Sequence, residues 1–194
     1  MDLKNENTSE PIAGTKKSWR KGSRGLALTG LFAALIMLLT LVHIPMFGGA
    51  GGSYIHLGDA VIFAACIIIG WRAIPAAAVG SALADLILGA VVYAVPTFII
   101  KGIMAGIVVL LTLKNKKAWL QVVAFAAASI FMQGAYLLFE VLFATTLYGT
   151  AYAFVAASFL FGWIQSAIGI PLGLWLSSVL KKIRIEYVAD KREP

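Results

Sequence analysis

Asp59, Asp85, Lys101 and Glu140 are ionisable side chains set inside otherwise apolar stretches. A charge at the centre of a bilayer costs about 2.5–3.5 kcal/mol on insertion scales, so residues of this kind line a site or a pathway rather than face lipid. Polar neighbours accompany them at helical spacing. Gln133, Tyr136 and Glu140 fall at i, i+3 and i+7, while Ser81/Asp85 and Thr97/Lys101 each fall at i and i+4. Each set shares one helix face. Carboxylates, a lysine and aromatic rings suit hydrogen bonding and stacking on a small polar solute. The expected polar contacts are Glu140, Lys101 and Asp85, with Trp163, Tyr93 and Tyr136 as stacking walls. Gln133, His56 and Asp59 are expected as further contacts.

Several of these residues carry a second reading. Lys101 and Asp85 also suit a buried ion pair, which satisfies both without a ligand. Asp59, within Leu57-Gly58-Asp59, also suits a helix N-terminus, where a carboxylate meets the positive end of the dipole. Tyr and Trp near the interface also read as membrane anchors. No nucleophile–base pair is visible, so no catalytic residue is expected. The chain has no G-x-x-x-x-G-K-[ST], H-E-x-x-H, G-x-S-x-G or paired-cysteine pattern, so neither a metal nor a cofactor is expected. The lone Cys66 lies in an apolar run and reads as a small buried hydrophobe.

The elements that must position these residues are membrane helices. Of 194 residues, 60% are hydrophobic and only 13% charged, too little polar surface to cover a soluble core of this length. The apolar runs are long and lack period-2 alternation, which excludes a transmembrane β-barrel. Most of the net charge of +7 belongs to Lys4–Arg24 and the stretch after Lys181, where it orients the chain and meets lipid headgroups instead of nucleic acid. Apolar segments run over 25–43, 57–71, 74–90, 95–113, 118–144 and 151–180. The first is longer than a signal-peptide core and is expected to be retained. The fold class expected is an all-α integral membrane protein with six transmembrane helices. Its parts are a basic tail at 1–24, a membrane domain at 25–182 and a C-terminal tail at 183–194.

Charge in the connections sets the topology. The links Ile44–His56, Val91–Ala94 and Thr145–Thr150 carry no Lys or Arg, whereas Arg72 and Lys114–Lys117 punctuate the alternate links. By the positive-inside rule both termini are then cytoplasmic. Helical rise places Asp85 roughly 6 Å, and Lys101 roughly 9 Å, from the outer ends of their segments. All four ionisable groups thus fall in the outer third of a core about 30 Å thick, as a pocket open to the outside. Small residues at four-residue spacing, such as Ala76/Gly80/Ala84 and Gly169/Gly173/Ser177, suit close helix packing. The run Gly48–Gly52 reads as a flexible outer loop.

Three blocks carry a resemblance: Tyr54-Ile-His-Leu-Gly-Asp-Ala-Val-Ile-Phe63, Gly80-Ser-Ala-Leu-Ala-Asp-Leu86 and Tyr93-Ala-Val-Pro-Thr-Phe-Ile-Ile-Lys-Gly102. Together they resemble the substrate-binding S components of energy-coupling factor (ECF) transporters, most of all the riboflavin/hydroxymethylpyrimidine/pyridoxine/queuosine group. The resemblance implies a six-helix vitamin-binding subunit in a bacterial plasma membrane. It implies as partners a transmembrane coupling subunit, the T component, and two cytoplasmic ATPases. It also implies docking through small residues of the first helix. Here Thr29-x-x-x-Ala33 and Gly30-x-x-x-Ala34 stand in place of the usual Ala-x-x-x-Ala. Pyridoxine or hydroxymethylpyrimidine is the expected ligand, ahead of riboflavin or a queuosine precursor. The alternative is an autonomous proton-coupled transporter using Asp85 and Glu140.

Overall fold

The computed structural model describes residues 13–47, 53–115, 117–145 and 152–190. Helices dominate, as a chain in lipid requires when water cannot satisfy its backbone groups. In chain order they are α1 (Ala13–Leu41), α2 (Gly58–Ile69), α3 (Ala73–Ile87), α4 (Val91–Thr112), α5 (Ala118–Phe139) and α6 (Tyr152–Asp190). α1 and α6 outrun the apolar segments. Lys16 to Arg24, expected in a disordered tail, lies on helix, and so does the stretch from 183 to Asp190. The glycine-rich run at 48–52 and residues 1–12 lie outside the described residues.

One element had no counterpart in the helical reading. Strands β1 (His43–Phe47) and β2 (Ser53–His56) pair antiparallel between α1 and α2, with His43 opposite His56 and Ile44 opposite Ile55. Short aromatic and β-branched stretches on either side of a glycine run favour such a ribbon.

Four helical stretches are long and apolar enough to cross a membrane: Gly58–Ile87, Val91–Thr112, Ala118–Phe143 and Tyr152–Lys182, with Gly25–Leu41 a shorter apolar helix. The first of these is a hairpin. Its direction reverses where a 3₁₀ turn at Gly70–Arg72 follows α2, and Gly70 takes φ +60°, a left-handed value that glycine adopts without steric cost. Both limbs lie along α4 in opposite senses. Lys101 and Ala105 of α4 meet Asp59 and then Cys66 on α2. A Cβ at Gly106 or at Gly102 would meet first Ile74 and then Ala78 on α3. Asp59 and Asp85, near opposite ends of the Gly58–Ile87 stretch, therefore arrive at the same end of the bundle.

Close backbone approach locks α3 to α1, since a Cβ at Gly80 would stand 2.5 Å from the Ala33 carbonyl oxygen. The interior is apolar and dense below the polar end. Phe63 of α2 stacks on Phe125 of α5 with centroids 4.4 Å apart and planes 8° from parallel, and Met104, Val108 and Ile36 are fully buried around them. The outside carries Leu38, Val95, Leu110, Ile130 and Leu160 well exposed, the inverse of a water-soluble surface.

Candidate functional site

At the end of the bundle shared by Asp59 and Asp85, five helices and the ribbon leave a cavity of about 810 Å³, counted out to its open mouth. Thr40 closes it from α1, His56 from β2, and Ser81 and Asp85 from α3. Tyr93, Thr97 and Lys101 line it from α4, and Met132, Gln133 and Tyr136 from α5. Phe154, Ser158, Phe159 and Gln165 complete it from α6.

Lys101 forms the floor. Its ammonium donates to Asp59 Oδ1 at 2.5 Å, lies 3.0 Å from Met132 Sδ, and sits 5.8 Å from the Tyr136 ring centre. The carboxylate that answers it is Asp59 on α2, whereas the second reading of the sequence paired it with Asp85. Asp59 is therefore held behind the lining rather than in it. It lies in the first turn of α2, where the helix dipole also favours it, but Leu57 occupies the cap position.

Gln165 ties this floor to the ribbon. Its Nε2 donates to Asp59 Oδ2 at 2.7 Å, and its Oε1 accepts from the His56 backbone N–H at 3.2 Å. His56 Nδ1 in turn accepts from the Gly58 N–H at 3.1 Å, which leaves the ring proton on Nε2 in the neutral tautomer. Burial pushes the His56 pKa down to about 4, with Lys101 and His43 adding to the effect and Asp59 opposing it, so the ring is uncharged at neutral pH.

The opposite wall is acidic. Glu140 opens a π turn, Glu140–Ala144, that continues α5; such turns re-aim side chains and gather at functional sites. Its Oε1 accepts from the Tyr93 hydroxyl at 3.4 Å, and Ser158 bonds to the same carboxyl. The Tyr93 ring packs edge-on against Phe139. Tyr136 is oriented by donating its hydroxyl to Thr97 Oγ1 at 2.9 Å. Gln133 donates to Ser166 Oγ at 3.2 Å and lies so close to Gly162 that any side chain there would collide with its amide.

The structure thus brings Glu140, Lys101, Asp85, Tyr93, Tyr136, Gln133 and His56 around one cavity. It leaves two others off the lining. Asp59 stands behind Lys101, and Trp163 turns outward, 40% exposed, with its ring edge-on to Phe159. Phe159 and Phe154 supply the aromatic wall on α6 instead. Sequence reading did not single out Thr40, Ser158 or Met132, which carry no distinguishing pattern within apolar runs. Gln165, by contrast, is legible in the sequence as a polar group of the sixth segment beside Trp163, being an amide inside an apolar helix. The positions expected from sequence to dock a partner separate as well: Ala33 is packed against Gly80, while Gly30 and Ala34 are exposed and a Cβ at Gly30 would touch nothing. Thr29 turns its hydroxyl back onto the Gly25 carbonyl at 3.0 Å.

A family model described as ECF-type riboflavin transporter, S component, matches residues 22–182. No curated protein matches the chain.

Proposed function

The chain belongs to the ECF-type riboflavin transporter S component family, and from that premise we propose that its cavity captures pyridoxine or hydroxymethylpyrimidine from outside the cell. The family is one of membrane transport subunits rather than enzymes, and its members serve vitamin uptake. On this reading the chain crosses the membrane six times with both termini in the cytoplasm. The cavity then opens outward. A T component and two ATPases drive the uptake, with the exposed Gly30 and Ala34 of α1 as the docking face.

The observation that carries the reading is the cavity itself. A partly polar chamber bounded by Lys101, Glu140, Asp85 and His56, with Tyr93, Tyr136 and Phe159 as flat walls, is an expensive thing to build at the end of a membrane bundle. It suits a ring bearing hydroxyl or amino groups. Riboflavin is the reading that the family description favours. The dense packing beneath Lys101, around the Phe63–Phe125 stack, supports release through the same mouth by which the ligand enters.

The test is mass spectrometry of ligand retained through purification, followed by titration of the emptied protein with pyridoxine, hydroxymethylpyrimidine and riboflavin. Glu140→Gln is expected to weaken binding by about tenfold or more, the loss of one charged hydrogen bond. Wild-type affinity in that variant would move the site elsewhere.

A further inference from the structure

We propose that Ser81 and Asp85 of α3, Tyr93 of α4 and Glu140 form a subsite for an amino group. The cavity would then prefer an amino-bearing six-membered heterocycle to its hydroxyl counterpart and reject phosphate esters. This deepens the vitamin-binding reading and rests on it.

Charge placement is the first argument. Lys101 is committed to Asp59 at 2.5 Å and to the floor. Among the described lining residues, the other formally charged groups are Asp85 and Glu140, and His56 is neutral. A phosphate would bring negative charge and further acceptors to a chamber whose cation is already answered. A group rich in N–H donors meets the opposite reception.

Hydrogen-bond capacity is the second, independent argument. Ser81 Oγ and Thr40 Oγ1 are buried, at 1% and 2% residue exposure, have no hydrogen-bond partner among the described residues, and belong to residues that line the cavity. A buried polar atom left without a partner costs free energy, so native proteins rarely retain one that nothing answers. Ser81 stands one helical turn before Asp85, on the same face. A carboxylate offers about four lone-pair directions. At Glu140, Tyr93 and Ser158 are the groups that address them among the described residues. An amino group brings two or three donors to such a wall, where a hydroxyl brings one.

The test uses matched ligands on the purified full chain: pyridoxamine against pyridoxine, and 4-amino- against 4-hydroxy-5-hydroxymethyl-2-methylpyrimidine. Riboflavin and pyridoxamine 5′-phosphate complete the panel, all titrated calorimetrically. The amino member of at least one pair should bind about tenfold tighter than its partner, and the phosphate should not compete. In Glu140→Gln, affinity for the amino member should fall further than for the hydroxyl member, so that the preference collapses. Ser81→Ala, a milder change, should narrow it in the same sense should the carboxylate variant not fold. Equal or tighter binding of the hydroxyl members, the phosphate or riboflavin overturns the proposal, as does a preference unchanged in both variants. Tight riboflavin binding would overturn it while leaving the vitamin-binding reading intact; a folded protein that binds none of the panel overturns both.

Discussion

Lys101 has carboxylates on three neighbouring elements to choose among, and the one it takes, Asp59, decides what the rest of the cavity can do. A buried ion pair gives little net stability compared with an apolar pair, but breaking it leaves an uncompensated charge and costs roughly 3–5 kcal/mol. Lys101→Ala is therefore expected to lower thermal stability in detergent by that order, through Asp59 and not through any lost ligand contact. The double variant Lys101→Met with Asp59→Asn should recover most of the loss, since no buried charge is stranded. A double variant as unstable as the single one would show that the pair is not what couples these positions. Gln165 is part of the same unit, because it bonds Asp59 and the His56 backbone at once.

At the scale of elements, small residues set the distances. α3 lies against α1 at Gly80, where a Cβ would press on a backbone carbonyl that cannot swing aside. Gly80→Ala is expected to destabilise by about 1–3 kcal/mol, the range for overpacking. Gly102→Ala is the control, because its Cβ would meet Ala78 at an ordinary 3.5 Å. It should cost nothing measurable and gain slightly in helix propensity. Equal melting temperatures for the two variants would mean that α1 is free to shift away from α3. The hairpin of α2 and α3 is the other decisive element. Segments of twelve and fifteen residues are short for a bilayer about 30 Å thick. Their antiparallel course along α4 brings Asp59 and Asp85 to one end, where a single straight helix would have set them far apart.

For the whole molecule, the proposed division of labour is a ligand chamber at one end of the bundle and a small-residue face along α1. The two are separable by mutation. Gly30→Leu combined with Ala34→Leu adds bulk to exposed positions, and at Gly30 nothing stands within 4 Å of the new Cβ. The expected outcome is unchanged ligand affinity in the isolated subunit but loss of ATP-dependent uptake when partner subunits are supplied in proteoliposomes. Full uptake by that variant would place the docking surface elsewhere. Uptake by the isolated subunit, abolished by collapsing a pH gradient, would instead favour the proton-coupled alternative.

Composition and spacing alone were enough to establish a helical membrane protein with buried ionisable residues, because lipid tolerates neither open strands nor stray charges. They also placed Glu140, Tyr136 and Gln133 on one face of one helix, since local periodicity is a property of the backbone. Which acid answers Lys101, that Trp163 turns outward while Phe159 and Phe154 face the cavity, and that a β-ribbon carries His56 to its rim were decided only by the packed structure. Those outcomes depend on how helices rotate and approach one another. That rotation is set by contacts between residues far apart in the chain, such as Gly80 with Ala33 and Gln165 with Asp59, whose energies no local pattern encodes.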